Sequence, residues 1–246
     1  MTPDLSRTTS IRASGSLASE AAREIKRFIL SNGLRTGDPL PSEADLCDRL
    51  GVSRSSVREA IRTLQTLDIV EVKHGRGTFV GAMSLQPLVE TLAFRSVISP
   101  GDDFRALREV VDVRMSLDLN YAERIVGHFE GTHHEELHEL VSEMVAAAHR
   151  GESFTAADRQ FHTQLLKETG VEMVSQLVAA FWDVHTAVLP QLSIPTPDDI
   201  ELTAKAHGDI LHAAEAGDVE GYRTAVSDHY APLLRVLDAT AEEPVA

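Results

Sequence analysis

The chain has 246 residues, 43% of them hydrophobic, and a formal net charge of −15, enough for one large or two modest domains with proper cores. Its single cysteine, Cys47, excludes an internal disulfide or a thiolate metal cluster; no stretch approaches the ~18 uncharged apolar residues of a membrane span, and the opening MTPDLSRTTSIRASG lacks a signal-peptide core, so a cytoplasmic protein with no membrane partner is expected. The charge is uneven: residues 1–80 carry 12 Lys and Arg against 10 Asp and Glu, while residues 81–246 carry 11 against 28, which splits the chain into a part compatible with polyanions and a part that repels them.

Residues 1–15 are rich in Ser, Thr and Arg without periodicity and read as a mobile tail. From Leu17 to Leu30 apolar residues recur at helical spacing and stop at SNG. TGDPLPSEADL then gives a turn and a serine cap at Ser42, with Asp45 three residues later as a variant capping box, opening a short helix that closes at Gly51. Ser53 caps the next helix, whose Val57, Ala60, Ile61, Leu64 and Leu67 share one face beside a stripe of Arg54, Arg58 and Arg62. Two short helices joined by LGVS read as a helix-turn-helix. IVEVK and TFV flank HGRG as a hairpin, so residues 16–81 predict a winged helix-turn-helix. After a linker at 82–86, residues 87–240 are helical between the stops SPGDD, EGTHH, RGES, TG, IPTPDD and AGD, which gives an all-α bundle of six or seven helices. Residues 241–246 read as a second tail. The fold class is mainly α.

A recognition helix offers its N-terminal residues to base edges in the major groove while its opposite face packs on the core. Ser53, Arg54, Ser55 and Ser56 stand at that N-terminus. Arg54 can offer a bidentate fork to guanine, Ser55 and Ser56 can bond bases or phosphate, and Arg58 is placed for a phosphate. Arg62, a further turn away, is expected to cap or pair internally. In the wing, Gly75 and Gly77 let the backbone approach the minor groove while His74 or Arg76 probes its width.

The stretch LRTGDPLPSEADLCDRLGVSRSSVREAIRTLQTLDIVEVKHGRGTFV closely resembles the N-terminal domain of the GntR family of bacterial transcription regulators. That resemblance implies DNA contacts by Ser53, Arg54, Ser55, Ser56, Arg58, His74 and Gly75. Two departures stand out: Thr36 replaces a usual Pro, and Ala44 replaces an Arg that often follows Ser-Glu and can touch bases.

Ten of the eleven histidines lie in the acidic part. Asp158 and His162 are four apart, on one helix face and within reach of a single ion. His207 and His229 each lie eleven residues from a turn near residue 218, so an antiparallel helical hairpin sets them level. One Asp and three His form a plausible metal set, although satisfied or exposed histidines account for the spacing equally well. DRQFH, AHGDILHAAEAGD and AVSDHY also look like the all-helical effector domain (FCD) of the FadR-type branch of that family. This likeness implies that Asp158, His162, His207 and His229 bind a divalent metal. Its Arg-x-x-Leu-Glu segment appears as Arg114, Leu117 and Asp118, a shortened carboxylate, and an Asn expected after the first ligand helix is Val171. Imidazoles with one carboxylate suit zinc first, with nickel, iron, copper or manganese also compatible. Open coordination positions would take the carboxylate of a small organic acid, with Arg114 as its neutralising cation.

HEELH, residues 134–138, matches the metalloprotease pattern. Glu136 charges a position such helices bury, and Leu137, Leu140, Val141, Met144, Val145 and Ala148 already form the core stripe, which sends Glu135 and His138 to solvent. The match is read as chance. The rival readings are a metal-dependent hydrolase built on the Asp/His cluster, for which no partner base or nucleophile is evident, and a non-specific DNA architectural protein, which the acidic part argues against. The expectation is a non-enzyme: a repressor that binds a palindromic operator as a homodimer and answers to a small carboxylate metabolite at its metal site.

Overall fold

The computed structural model describes residues 6–98, 105–192 and 200–241. The expected breaks at SPGDD and IPTPDD, the first five residues and the last five lie outside the described residues. In chain order the elements are α1 (Ser6–Ser31), α2 (Glu43–Leu50), α3 (Arg54–Thr66), β1 (Val70–Lys73), β2 (Gly77–Val80), α4 (Gln86–Ile98), α5 (Arg105–Asn120), α6 (Ala122–Phe129), α7 (Glu135–His149), α8 (Thr155–Glu168), α9 (Glu172–Leu192), α10 (Ile200–Glu215) and α11 (Val219–Ala241). They divide into two compact units, Met1–Pro87 and Leu88–Ala246.

In the first unit, local capping decides where the short helices begin. The Ser42 hydroxyl accepts from the Asp45 backbone N–H while the Asp45 side chain accepts from the Ser42 N–H, closing a capping box on α2; Gly51 ends that helix in the left-handed conformation (φ 64°). The Ser53 hydroxyl accepts from the Ser56 N–H and starts α3 two residues later. α3 packs on both α1 and α2, burying Val57, Ala60, Ile61 and Leu64 against Ala21, Ile25, Ile29 and Leu46. Each fully buried Val, Ile or Leu is worth ~1.5–3 kcal/mol, so the unit rests on this one face. Cys47 lies half-buried at its edge as a free thiol, a small hydrophobe as expected.

β1 and β2 pair antiparallel from Val70↔Val80 to Lys73↔Gly77, with Gly75 (φ 73°) and Gly77 (φ 112°) making the turn that other residues resist. The segment before α2 lies along the other side of β2: the Gly37 N–H donates to the Val80 carbonyl, the Val80 N–H to Asp38, and the Leu40 N–H to Thr78. This third edge covers β2.

Two features depart from the sequence reading. α1 begins at Ser6, so residues 6–15, expected as a tail, continue its helix; the stretch contains no proline to stop it, but its lack of an apolar stripe hid it from a periodicity argument. Among the described residues eight helices follow β2, because α5 and α6 part at Tyr121 without a Gly or Pro to mark the break.

The second unit is a closed ring. α5 packs on α9, α9 on α8, α8 on α7, α7 on α10, α10 on α11, and α11 returns to α5, with α6 set against α10 and α11. α10 and α11 form a tight antiparallel hairpin whose turn uses Gly217 at φ 75° and a bond from the Asp218 N–H to the Ala213 carbonyl. Pro232 lies inside α11, where it lacks the N–H that would bond one turn back. Phe161, Leu165, Val184, Ile210, Leu211, Tyr222 and Val226 are among the residues that fill the unit.

The chain leaves β2 through a spot that only glycine fits. The Gly81 N–H donates to the Ile69 carbonyl, and a Cβ on Gly81 would stand 2.3 Å from the Asp68 carbonyl oxygen. The same Asp68 accepts from the Met83 and Ser84 N–H groups, so its backbone has little freedom to withdraw. Gly81→Ala should therefore cost ~1–3 kcal/mol through overpacking, read as a lower urea midpoint for the first unit.

Candidate metal centre and DNA-reading helix

At the start of α3, Arg54 and Ser55 are exposed. The Ser53 hydroxyl bonds Ser55 at 2.8 Å and Ser56 at 3.0 Å. Ser56 is buried, so of the four residues it is the one turned from solvent. Arg58 donates its Nε–H to Glu43 on α2 at 2.8 Å, a pair with both side chains exposed. Arg62 pairs with Glu59 at 3.8 Å, the internal partner expected of it. His74, Gly75 and Arg76 stand exposed at the tip between β1 and β2.

In the second unit, Asp158 and His162 of α8, His207 of α10 and His229 of α11 converge, all four buried, with one donor atom from each lying within 4.8 Å of every other. The hairpin does level His207 and His229, whose ring centroids are 4.4 Å apart. Hydrogen placement follows from the partners. His207 Nδ1 lies 2.8 Å from the Thr203 carbonyl, which can only accept, so a neutral ring carries its hydrogen there and turns a lone pair at Nε2 toward Asp158 Oδ1, 3.1 Å away. Two acceptors then face each other in the buried centre, and both atoms lack a hydrogen-bond partner among the described residues. His162 Nε2 is 3.4 Å from the same oxygen and 3.2 Å from His229 Nε2. Separations of 3.1–3.4 Å match edges of a coordination polyhedron with bonds of about 2.0–2.2 Å, so the donor set fits a divalent cation.

Burial alone would raise the Asp158 carboxyl; positive charge and a donated hydrogen bond from a protonated His207, with charge on His229 and His162, outweigh it and hold the group well below the usual carboxylate range, and with neutral rings a bound cation would supply that charge instead. Burial pushes His229 well below the ordinary histidine value, and the neighbouring His207 and His162 add to the fall. Anionic oxygen and unprotonated imidazole are the forms that bind metal.

A second layer supports the first. Asp118 of α5 accepts the Tyr230 hydroxyl at 2.7 Å and lies 3.4 Å from His162 Nδ1, a carboxylate behind a ring nitrogen. Arg114, one turn earlier and 1% exposed, has no carboxylate within ion-pair distance among the described residues. It donates to His185 Nδ1 at 2.9 Å and stacks over Trp182 at 4.5 Å and Tyr230 at 5.4 Å, while its Nε–H has no partner among the described residues. A guanidinium keeps its charge in proteins, so this cation is held by aromatic faces and one imidazole.

His138 is not turned free to solvent, as the helical stripe implied. Its Nε2 lies 3.0 Å from Glu215 Oε2; Glu135 is exposed as expected. Burial would raise the Glu215 carboxyl, but the His134 backbone N–H and the His138 ring bring it below the usual range.

Residues 17–80 match the family described as "Bacterial regulatory proteins, gntR family", and residues 109–232 match the FCD domain. The chain is a member of the gntR family. It is a DNA-binding transcription regulator with an FCD effector domain. Among similar gntR-family proteins, the "Galactonate operon transcriptional repressor" of Escherichia coli is 25% identical over 182 residues, covering 74% of this chain and 80% of the relative. The "Putative transcriptional regulatory protein NedR" of Micromonospora viridifaciens is 42% identical over 101 residues, 41% of this chain and 72% of that one. A solved Streptococcus agalactiae GntR shares the fold at TM-score 0.62 and 26% identity, over 89% of this chain and 99% of that chain. No helix among the described residues is long and apolar enough to cross a membrane.

Sequence reasoning about this gntR-family chain passed over His185, Trp182 and Tyr230. Tyr230 follows a candidate ligand directly; His185 and Trp182 carry no spacing signal, since only the ring closure of α9 onto α5 brings them to Arg114.

Burial, with Arg114 alongside, lowers His185 to about 3 from an ordinary 6.5. The unfolded chain therefore takes up a proton that the folded one refuses, so the stability due to neutral His185 is complete above pH 6.5 and is lost as pH falls toward 3. His185→Asn keeps an acceptor for Arg114 and should flatten the fall of the urea midpoint between pH 7.5 and 5, by up to about one proton. An unchanged slope would show that His185 is charged in the fold.

Proposed function

We infer that this regulator is a repressor that binds a palindromic operator as a homodimer and releases it in response to a small carboxylate metabolite held at a metal in the effector unit. The observation that carries this reading is the pairing of two unmet demands in one interior: facing acceptors at Asp158 and His207 that call for a cation, and a buried guanidinium at Arg114 that calls for an anion. A divalent ion, zinc in the first instance, would be held by Asp158, His162, His207 and His229. When bound, it would act as a Lewis acid for a ligand oxygen.

This chain's own residues do the rest. The Thr203 carbonyl fixes the His207 ring, and Asp118 stands 3.4 Å behind His162. Arg114 offers its unpartnered Nε–H edge to the carboxylate, and Trp182 and Tyr230 keep water from that edge. Because α5, α8, α10 and α11 each contribute to the site, a ligand that prefers one packing of these helices shifts the population toward it, and only that preference can alter operator affinity. The galactonate name of one relative is consistent with a sugar-acid or hydroxy-acid class.

On DNA, Arg54 reads a base edge, Ser53 and Ser55 contact base or phosphate, and the wing tip at His74, Gly75 and Arg76 enters the minor groove. Ser56 holds the helix start. Arg58 exchanges Glu43 for a phosphate. A single helix-turn-helix reads few bases, which supports two copies on two half-sites.

Two outcomes are expected. Arg54→Ala should cost ~1–3 kcal/mol on the operator and relax specificity at one guanine, whereas Arg58→Ala should weaken all sequences alike and reduce the salt slope; gel-shift titrations on operator and random DNA across salt concentrations distinguish them. His207→Ala should lose metal and effector response yet keep operator affinity, and Arg114→Met should lose the response with metal retained, measured against a panel of hydroxy and sugar acids. A metal-free His207→Ala protein that still responds fully refutes the anchor, and turnover of the acid by purified wild type would favour a hydrolase.

A further inference from the structure

Away from the buried centre, the turn between α6 and α7 and the end of α10 bring together a second set of metal-competent side chains. His133 and His138 stack with ring centroids 4.4 Å apart and 23° between their planes, and both face Glu215. One donor from each of the three lies within 4.8 Å of the others. His138 Nε2 is 3.0 and 3.1 Å from the two Glu215 oxygens, and His133 Nδ1 is 3.7 Å from Oε1. Two ligands of a tetrahedral ion with bonds of about 2.05 Å stand about 3.3 Å apart, so small side-chain rotations complete the geometry.

Hydrogen placement leaves a lone pair ready for a cation at His133, while at His138 the Nε2 hydrogen faces Glu215 and a cation would take its place. His133 Nε2 lies 3.1 Å from Glu135 Oε2, a carboxylate that can only accept, so a neutral His133 carries its hydrogen on Nε2 and points the Nδ1 lone pair at the Glu215 carboxylate. This is the arrangement of a metal-ligating imidazole whose other nitrogen is bonded to a carboxylate. Glu215 is held in place independently: its Oε1 accepts the His134 backbone N–H at 3.0 Å, and its carbonyl accepts the Gly131 N–H at 2.9 Å. It presents a fixed oxygen at 13% side-chain exposure, while His133 at 63% and His138 at 36% stay open to an ion arriving from solvent.

We propose that His133, His138 and Glu215 form a second, surface-accessible site for a divalent transition ion of the zinc–nickel–copper class, completed by water, that pins the start of α7 to the end of α10. Its donor set of two imidazoles and one carboxylate suits these ions over calcium or magnesium. With three protein ligands and access to solvent, it binds more weakly and exchanges faster than the four-ligand buried set. The HEELH pattern thus contributes one of its two histidines to a metal site, but through His133 and a glutamate from another helix instead of its own Glu135. Glu215 stands two turns beyond His207 on α10, about 12 Å along the axis, so an ion here braces the helix that carries a buried ligand.

The test is a zinc titration of untagged, chelator-stripped full-length protein. Wild type should take up two equivalents of Zn2+ per chain, His133→Ala/His138→Ala one, and Asp158→Ala/His207→Ala one. Losing two ligands exceeds the loss of an outer-shell partner, which alone lowers affinity ~10–100-fold, so the weaker equivalent should vanish from the first variant. Both of its histidines are partly exposed, so without zinc its circular dichroism and melting temperature should match wild type, and the zinc-induced rise in melting temperature should be smaller. If the His133→Ala/His138→Ala protein takes up as much Zn2+ as wild type, the proposal is wrong. It is equally overturned if wild type binds a single equivalent that Asp158→Ala/His207→Ala abolishes. A wild type that binds one equivalent lost only in the histidine pair variant supports this site and removes the buried one, so the two assignments fail separately.

Discussion

The buried centre of the effector unit is built around one close contact. Asp158 Oδ1 and His207 Nε2 stand 3.1 Å apart, each with electron density toward the other and no partner of its own among the described residues. Buried polar atoms left without a partner are costly. The surrounding helices nevertheless fix both atoms: α8 presents Asp158 and His162 from one face, α10 locks His207 through Thr203, and the α10–α11 hairpin brings His229 to the same level. A fold that spends backbone geometry on holding acceptors together has been shaped around a cation.

The next layer shows how one helix serves two purposes. α5 carries Arg114 and Asp118 one turn apart on the inner face. Asp118 stands behind His162 and takes the Tyr230 hydroxyl; Arg114 lies over the Trp182 and Tyr230 rings and is bonded to His185. Tyr230 belongs to both arrangements, presenting its hydroxyl to the anion and its ring face to the cation. The oppositely charged groups of α5 are thereby kept from neutralising each other and remain available to the centre. The DNA-reading unit follows a simpler logic, in which two serine caps and one glycine C-cap set the angle of α3 and a single apolar face secures it.

Much of this was legible in the sequence because it is local. The α2 capping box, the Ser53 cap, the Gly51 stop, the Val57, Ala60, Ile61 and Leu64 face of α3 and the glycines of the wing act over three or four residues, and the structure reproduces them, although Leu67, read on the same face, is exposed. The Asp158–His162 pair is local too, and the level placement of His207 and His229 follows from counting along a hairpin. What was illegible depends on tertiary closure or on the absence of a signal. α1 extends to Ser6 without an apolar stripe; α5 and α6 part at a tyrosine; His185 reaches Arg114 only because α9 packs on α5. His138 was assigned to solvent from the periodicity of α7 alone, which cannot see a glutamate delivered by α10.

The three imidazoles of the buried set are not equivalent. His207 is tethered to a backbone carbonyl, whereas His162 Nδ1, 3.4 Å from Asp118, and His229 Nδ1 make no hydrogen bond among the described residues. His229 also precedes Pro232 by three residues, on the turn of α11 that is short of one backbone hydrogen bond. One of the two rings without an Nδ1 hydrogen bond therefore rides beside the stretch of α11 that lacks a backbone hydrogen bond. One tethered imidazole and two without an Nδ1 hydrogen bond make a lopsided cage, with its α11 side on a helix that has lost a backbone bond.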